Sequence, residues 1–322
     1  MKFRHLFSLS ALLLSICIQG TAQDRPNIVF IFSDDHATQA ISAYGGMLAE
    51  IAPTPHLDRI AKEGMRFDRC MVTNSICGPS RATILTGKYS HKNGFFQNEA
   101  TSFDGTQQTF PKLLRNAGYE TALIGKWHLA SEPTGFDHWD ILPGQGSYYN
   151  PDFINAEGKY QVTGYCSEIL TDKAKEWLTN QRDKEKPFIL MLQHKAPHRA
   201  WDPAPKYLNA FDNISLAEPD TLFDNYEGRG TAARDQDMSI EKTMTMGRDL
   251  KVKEFDETGD FVRRGYGRMN DEQKATWDAA YQPKNDALVK SGIEGKELVR
   301  RKYRFHLLQR SGLLPRRTRL VR

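Results

Sequence analysis

Ile28-Val29-Phe30-Ile31-Phe32 is a continuous apolar run of branched and aromatic side chains, and it ends abruptly at Ser33-Asp34-Asp35-His36. Such a run predicts a buried strand with carboxylates at its end. Residues 55–64 then place apolar positions at helical spacing behind Pro55 and stop at Gly64, which predicts a short surface helix. The pattern predicts a further strand at residues 65–72, a helix over 81–86, a helix opening at Thr109-Phe110-Pro111 and ending at Gly118, and a strand over 120–124. Helical spacing returns at 168–181, followed by the apolar strand Phe188-Ile189-Leu190-Met191-Leu192 and the polar string Gln193-His194-Lys195-Ala196-Pro197-His198. Strand and helix alternate in this way through residue 198, which predicts an α/β layered domain with a largely parallel sheet. Such sheets collect chemistry at the carboxyl ends of their strands, where each polar cluster sits. Between 203 and 295 the pattern weakens into charged, glycine-containing segments, with one amphipathic stretch at 271–281 and no internal repeat.

Composition adds little to this picture until the two ends of the chain. The 322 residues are 39% hydrophobic and 26% charged, ordinary for a soluble globule, and the net charge of +4 carries no basic stripe interleaved with aromatics. Nucleic-acid binding is not expected. Lys2 and Arg4 precede an apolar run over 6–18 and the small residues Gly20-Thr21-Ala22. That order predicts a cleaved signal peptide at 1–22, with no membrane attachment afterwards and an exported protein, periplasmic or secreted in a bacterium. Cys70, Cys77 and Cys166 remain after cleavage, an odd number, so one of them is unpaired or modified. From 300 to 322 there are eight arginines and one lysine without a single Asp or Glu.

The candidate chemistry lies in four short segments. Asp34 and Asp35 are adjacent, so an extended backbone would point them to opposite faces, and only a turn lets both reach one hard cation. By themselves they read as a solvated turn. Cys77-Gly78-Pro79-Ser80-Arg81 is followed by Ala82-Thr83-Ile84-Leu85-Thr86-Gly87. A helix N-terminus there offers free N–H groups to an anion, and Arg81 adds a fixed positive charge near the thiol. Gly125-Lys126-Trp127-His128 ends the strand at 120–124, and His194, Lys195 and His198 follow the last one. Asn98 and Glu99 are further candidates to face a substrate.

Over its whole length the Cys77–Gly87 segment resembles the signature of the type I, formylglycine-dependent sulfatases. The resemblance implies an alkaline phosphatase-like α/β/α sandwich with a mainly parallel central sheet. It implies that Cys77 is oxidised to formylglycine by a formylglycine-generating or sulfatase-maturing enzyme, and that the hydrated aldehyde attacks sulfur. Asp34, Asp35 and residue 77 then look like ligands of one calcium ion, Lys126 like a contact to the sulfate, and His128 like the group that holds or deprotonates the diol. His194, Lys195 and His198 compete as substrate contacts and as the acid that protonates the leaving alcohol, with His198 slightly favoured. The wider pattern is similar to bacterial exported sulfatases grouped with N-acetylglucosamine-6-sulfatases and mucin-desulfating enzymes. It implies a sulfated carbohydrate substrate, with sulfate removed from 6-sulfated N-acetylglucosamine. A phosphoester hydrolase of the same superfamily is the alternative, which Cys77 disfavours.

The chain also departs from that family. A second cluster, an apolar strand ending in Asp-His-Gly or Asp-Asn-Gly, is absent from the sequence, and neither Asp260 nor Asp271 follows such a strand. Together with the acid-free end, this predicts an incomplete catalytic domain over 23–300 and an Arg-rich tail over 301–322, with the reading frame lost near Tyr303 and Arg304. Calcium held by Asp34, Asp35 and residue 77 alone would be under-coordinated, so an inactive fragment is the second alternative.

Overall fold

A computed structural model describes residues 25–99 and 102–312. The expected signal peptide and the last ten residues of the expected tail lie outside the described residues. The sheet has six strands: β1 (Ile28–Phe32), β2 (Glu120–Lys126), β3 (His138–Leu142), β4 (Asp152–Asn155), β5 (Gly158–Gln161) and β6 (Phe188–Gln193). Their spatial order is β1-β6-β2-β3-β4-β5. The first four in that order are parallel; β4 is antiparallel to β3, and β5 to β4.

Helices cover both faces. Helix α1 (Pro55–Glu63) lies at the surface, whereas α2 (Cys77–Thr86) and α3 (Phe110–Asn116) pack on one face of the sheet. Ala82, Leu85 and Leu114 meet Leu123, Ile189 and Met191 there. On the other face α4 (Cys166–Glu176) brings Leu170 and Ala174 against Ala122, Ile124, Leu190 and Leu192. The alternation of side chains along β2 and β6 thus feeds two cores, which is why these strands read as unbroken apolar runs. β1 differs. It is an edge strand, with Val29 and Ile31 each more than 40% exposed and its outer backbone edge unpaired among the described residues.

Beyond β6 a separate core gathers around Trp277 of α5 (Asp271–Ser291), with Tyr149, Tyr165, Trp201 and Phe261. Helix α5 opens with a full capping box between Asn270 and Gln273 and runs past the expected 281 to Ser291, despite Pro283. The last helix, α6 (Gly295–Gly312), continues unbroken across residue 301, and Lys302 and Tyr303 are buried at 7% and 6% exposure. The first residues of the expected tail are therefore packed. None of the helices described is long and apolar enough to cross a membrane.

The expected strand at 65–72 is irregular instead. Met65, Phe67, Met71 and Val72 are 65–85% exposed, so no described neighbour buries the apolar face that would hold a strand there.

Candidate active site

The site grows from three parallel strand ends. Asp34 lies just beyond β1, Lys126 is the last residue of β2, and Gln193 is the last residue of β6. Backbone hydrogen bonds from Asp34 N to Ala196 O (3.1 Å) and from His194 N to Phe32 O (2.8 Å) stitch the first and last of these together. β2 comes unusually close to β6 at Gly125. With φ at +116°, Gly125 would place a Cβ 1.9 Å from the Gln193 carbonyl oxygen, so only glycine lets Lys126 sit where it does.

The helix expected from Arg81 begins earlier, at Cys77, and Cys77 is therefore part of its first turn. Pro79 is tolerated because the first turn has no intrahelical acceptors for its missing N–H. Ile76 provides no side-chain cap, and Asn98 takes over by accepting a hydrogen bond from Gly78 N at 2.9 Å. Asn98 thus braces the helix. A side chain on Gly78 would collide with Phe95 at 2.6 Å and press on the His128 carbonyl.

Around Cys77 the charges are buried. Its Sγ is 3.8 Å from Asp34 Oδ1, and burial pushes the thiol above its ordinary range. Lys126, wholly buried, donates to the Asp34 and Gln145 side chains. Arg81 is 2% exposed and donates through Nη1 to the Lys126 carbonyl and to Gln193 Oε1, with Nη2 3.6 Å from Asp34 Oδ2. Its Nε and Nη2 are buried without a hydrogen-bond acceptor. Burial opposes ionisation of Asp34, yet Lys126 and Arg81 outweigh it and hold the carboxyl below its usual range.

The three candidates after β6 separate clearly. His194 is buried, its Nδ1 has no partner, and burial lowers its pKa to about 4. Lys195 is buried too, 4.7 Å over the Tyr148 ring, and burial brings it down to about 8. His198 alone joins the cluster: ligating atoms of Asp34, Cys77 and His198 lie within 4.8 Å of one another. His128, at φ +53°, is half-buried with an unpartnered Nδ1, and burial next to Lys126 and Arg81 lowers it to about 4. Asp35 sits at the turn the sequence required, at φ +61°, but its side chain is exposed and outside that group. All three described cysteines are free, with Cys166 buried and raised to about 12.

Gln145 and Gln193 are the residues sequence reasoning missed. Uncharged amides carry no titration or ligand signature, although the position of Gln193 at the end of an apolar strand was a usable signal. A groove of about 410 Å³ between Tyr207, Phe211, Tyr281 and Phe305 contains none of the Cys77 cluster. Convergent charged donors beside Cys77 mark the site instead.

A sulfatase family model matches residues 26–253, which include every residue of this cluster. The chain is 52% identical over 94% of its length to an N-acetylglucosamine-6-O-sulfatase of Bacteroides thetaiotaomicron, and covers 55% of it. It is 32% identical over 66% of its length to human N-acetylglucosamine-6-sulfatase, covering 43% of that protein. The solved structure of BT4656, in complex with its substrate D-glucosamine-2-N,6-O-disulfate, superposes with a TM-score of 0.84 at 52% identity, over 90% of this chain and 59% of that one. The chain spans about half the length of the curated relatives it matches. By that family model and the 52% identical relative, the chain belongs to the sulfatase family.

Proposed function

We propose that the chain carries the nucleophile side of an exported glycan sulfatase, removing sulfate from 6-sulfated N-acetylglucosamine. The observation that carries this reading is Arg81, a buried guanidinium beside Cys77 with two donor atoms that make no hydrogen bond. A buried cation in that state suits an anion that arrives from outside. The name of the Bacteroides relative and the 6-O-sulfated sugar held by BT4656 support the choice of sugar.

When a maturation enzyme has oxidised Cys77 to formylglycine, the hydrated aldehyde supplies an oxygen nucleophile in place of the thiol. The surroundings fit that group, since its oxygens would meet the Arg81 donors. Arg81 and Lys126 bind and orient the sulfate and stabilise charge that builds on its oxygens. His128, neutral at its lowered pKa, takes a proton from the residue at 77. His198, in the form with both ring nitrogens protonated, hands its Nε2 proton to the departing sugar oxygen. Its Nδ1 lies 2.6 Å from the Arg199 carbonyl, which only accepts, so Nδ1 keeps its hydrogen and Nε2 is the working atom.

Calcium fits less well. Of the two adjacent aspartates only Asp34 belongs to the cluster, among the described residues no other carboxylate joins it there, and calcium takes six or more oxygens. The same shortfall supports a second reading, in which the chain binds sulfated glycans without hydrolysing them.

Coexpression with a sulfatase-maturing enzyme separates these readings. Mass spectrometry of the peptide spanning Cys77 should show the aldehyde, and 6-sulfated N-acetylglucosamine should release sulfate, with Cys77→Ala lowering release at least about 10³-fold. An unmodified thiol in protein that releases sulfate would sink the mechanism. Oxidised residue 77 with sugar binding and no release would establish the second reading.

A further inference from the structure

We infer that Asp249 and Lys251 are positioning residues that hold His198 in the cluster, an inference that rests on the sulfate-ester reading only for the reaction His198 serves. His198 lies on an irregular segment after β6, where no helix or sheet ladder fixes the backbone. Side chains take over that task. Tyr148 donates to the His198 carbonyl at 2.5 Å, Tyr165 to the Asp202 carbonyl at 2.9 Å and Tyr149 to the Pro203 carbonyl at 2.6 Å.

The central part of this segment is held by charge. Arg199, whose carbonyl accepts from His198 Nδ1, grips Asp249 with both Nε (2.6 Å) and Nη2, and Nη2 also donates to Thr243 O at 3.0 Å. Asp249 is fully buried and accepts a further hydrogen bond from Thr245 N at 2.7 Å. Lys251 is fully buried as well. Its ammonium donates to the Ala200 carbonyl at 2.6 Å and the Arg248 carbonyl at 2.8 Å and pairs with the Asp202 carboxylate at 2.6 Å.

Apolar residues of similar volume would fill this space at no loss of stability, because burying charge is costly even when it is paired. What apolar residues cannot do is fix the direction of carbonyls. The carbonyls held here belong to His198, Arg199 and Ala200, and the middle one sets which imidazole nitrogen faces Cys77. Without Asp249 and Lys251 the Arg199 carbonyl is free to rotate, and the imidazole with it.

The test uses the full chain with histidine labelled with ¹⁵N, at one fixed pH. The Nδ1 proton of His198 should give a slowly exchanging downfield resonance, identified by its loss in His198→Gln. Lys251→Met and Asp249→Asn should broaden or abolish it, and Lys251→Arg should restore it in part. In matured protein the same variants should lower kcat about 10- to 100-fold with KM nearly unchanged, most steeply for poor leaving groups. An unmoved resonance together with unchanged kcat in Lys251→Met overturns the inference. Should Lys251→Met fail to fold, Arg199→Lys keeps the charge but removes the two-point grip on Asp249; it should broaden the resonance, and a sharp, unmoved signal there is equally fatal. Absent sulfate release with the resonance behaving as expected counts against the reaction and leaves the positioning role standing.

Discussion

Two groups of buried charge serve the same histidine and are built on opposite principles. Around Cys77, Arg81 keeps two buried donor atoms without an acceptor, and Lys126 and His198 face the same small space. Around Asp202, each charged group of Arg199, Asp249 and Lys251 is already engaged, by another charge or by a carbonyl. The first group holds donors ready for a ligand, whereas the second is closed on itself. Unmet donors in a buried site mark where a molecule is to bind; fully met ones mark what holds the site in shape.

That difference gives three ways to break or sharpen the comparison. Asp202→Ala leaves the Lys251 ammonium buried without its carboxylate and should cost about 3–5 kcal/mol, read from denaturant unfolding. A loss below about 1 kcal/mol would show that the second group is not a scaffold. Arg81→Met should do the reverse, lowering turnover about 10²- to 10³-fold at a smaller cost in stability, about 1–3 kcal/mol, because Asp34 keeps Lys126 as its partner and only the Lys126 carbonyl and the Gln193 amide lose their donor. Comparable damage to stability would place Arg81 with the scaffold.

The smallest effect concerns His194, which lies between the two groups in sequence and is buried without a partner at Nδ1. Burial lowers it to about 4, so between that value and the ordinary histidine pKa the unfolded chain binds a proton that the folded one does not. Stability present above about pH 6.5 should therefore be lost as pH falls toward 4, by up to about 3 kcal/mol. Unfolding midpoints at about pH 7 and about pH 4.5 measure it, and His194→Gln should flatten the slope. An unchanged slope in that variant assigns the acid lability to another group.

The ligand-ready group was legible in the sequence far more than the closed one. β1, β2 and β6 are apolar runs that end in polar residues, so the pattern located both the strands and the chemistry at their tips. Cys77 and Arg81 came from a contiguous motif. β3 was missed because His138, Trp139 and Asp140 interrupt its apolar character, and the β4–β5 hairpin because Phe153 is the one fully buried residue of its two short strands. Residues 65–72 were misread for the opposite reason: their branched and aromatic side chains suit a strand, but nothing described covers them. Asp249 and Lys251 carry no signal in the sequence because charged residues surround them there, and only the fold shows that they are buried. Periodicity reports burial by type and is blind to a buried ion pair.

The edge position of β1 has a further consequence. Asp34, the anion that Lys126, Arg81 and Cys77 all surround, hangs from the one parallel strand with a single described neighbour, whereas Lys126 hangs from a strand paired on both sides. Fraying of one short strand would withdraw that carboxylate while the two cores on either side of β2 and β6 stayed shut. The site is thus less durable than the molecule that carries it, and a preparation could retain its spectrum and its melting transition long after it had ceased to bind.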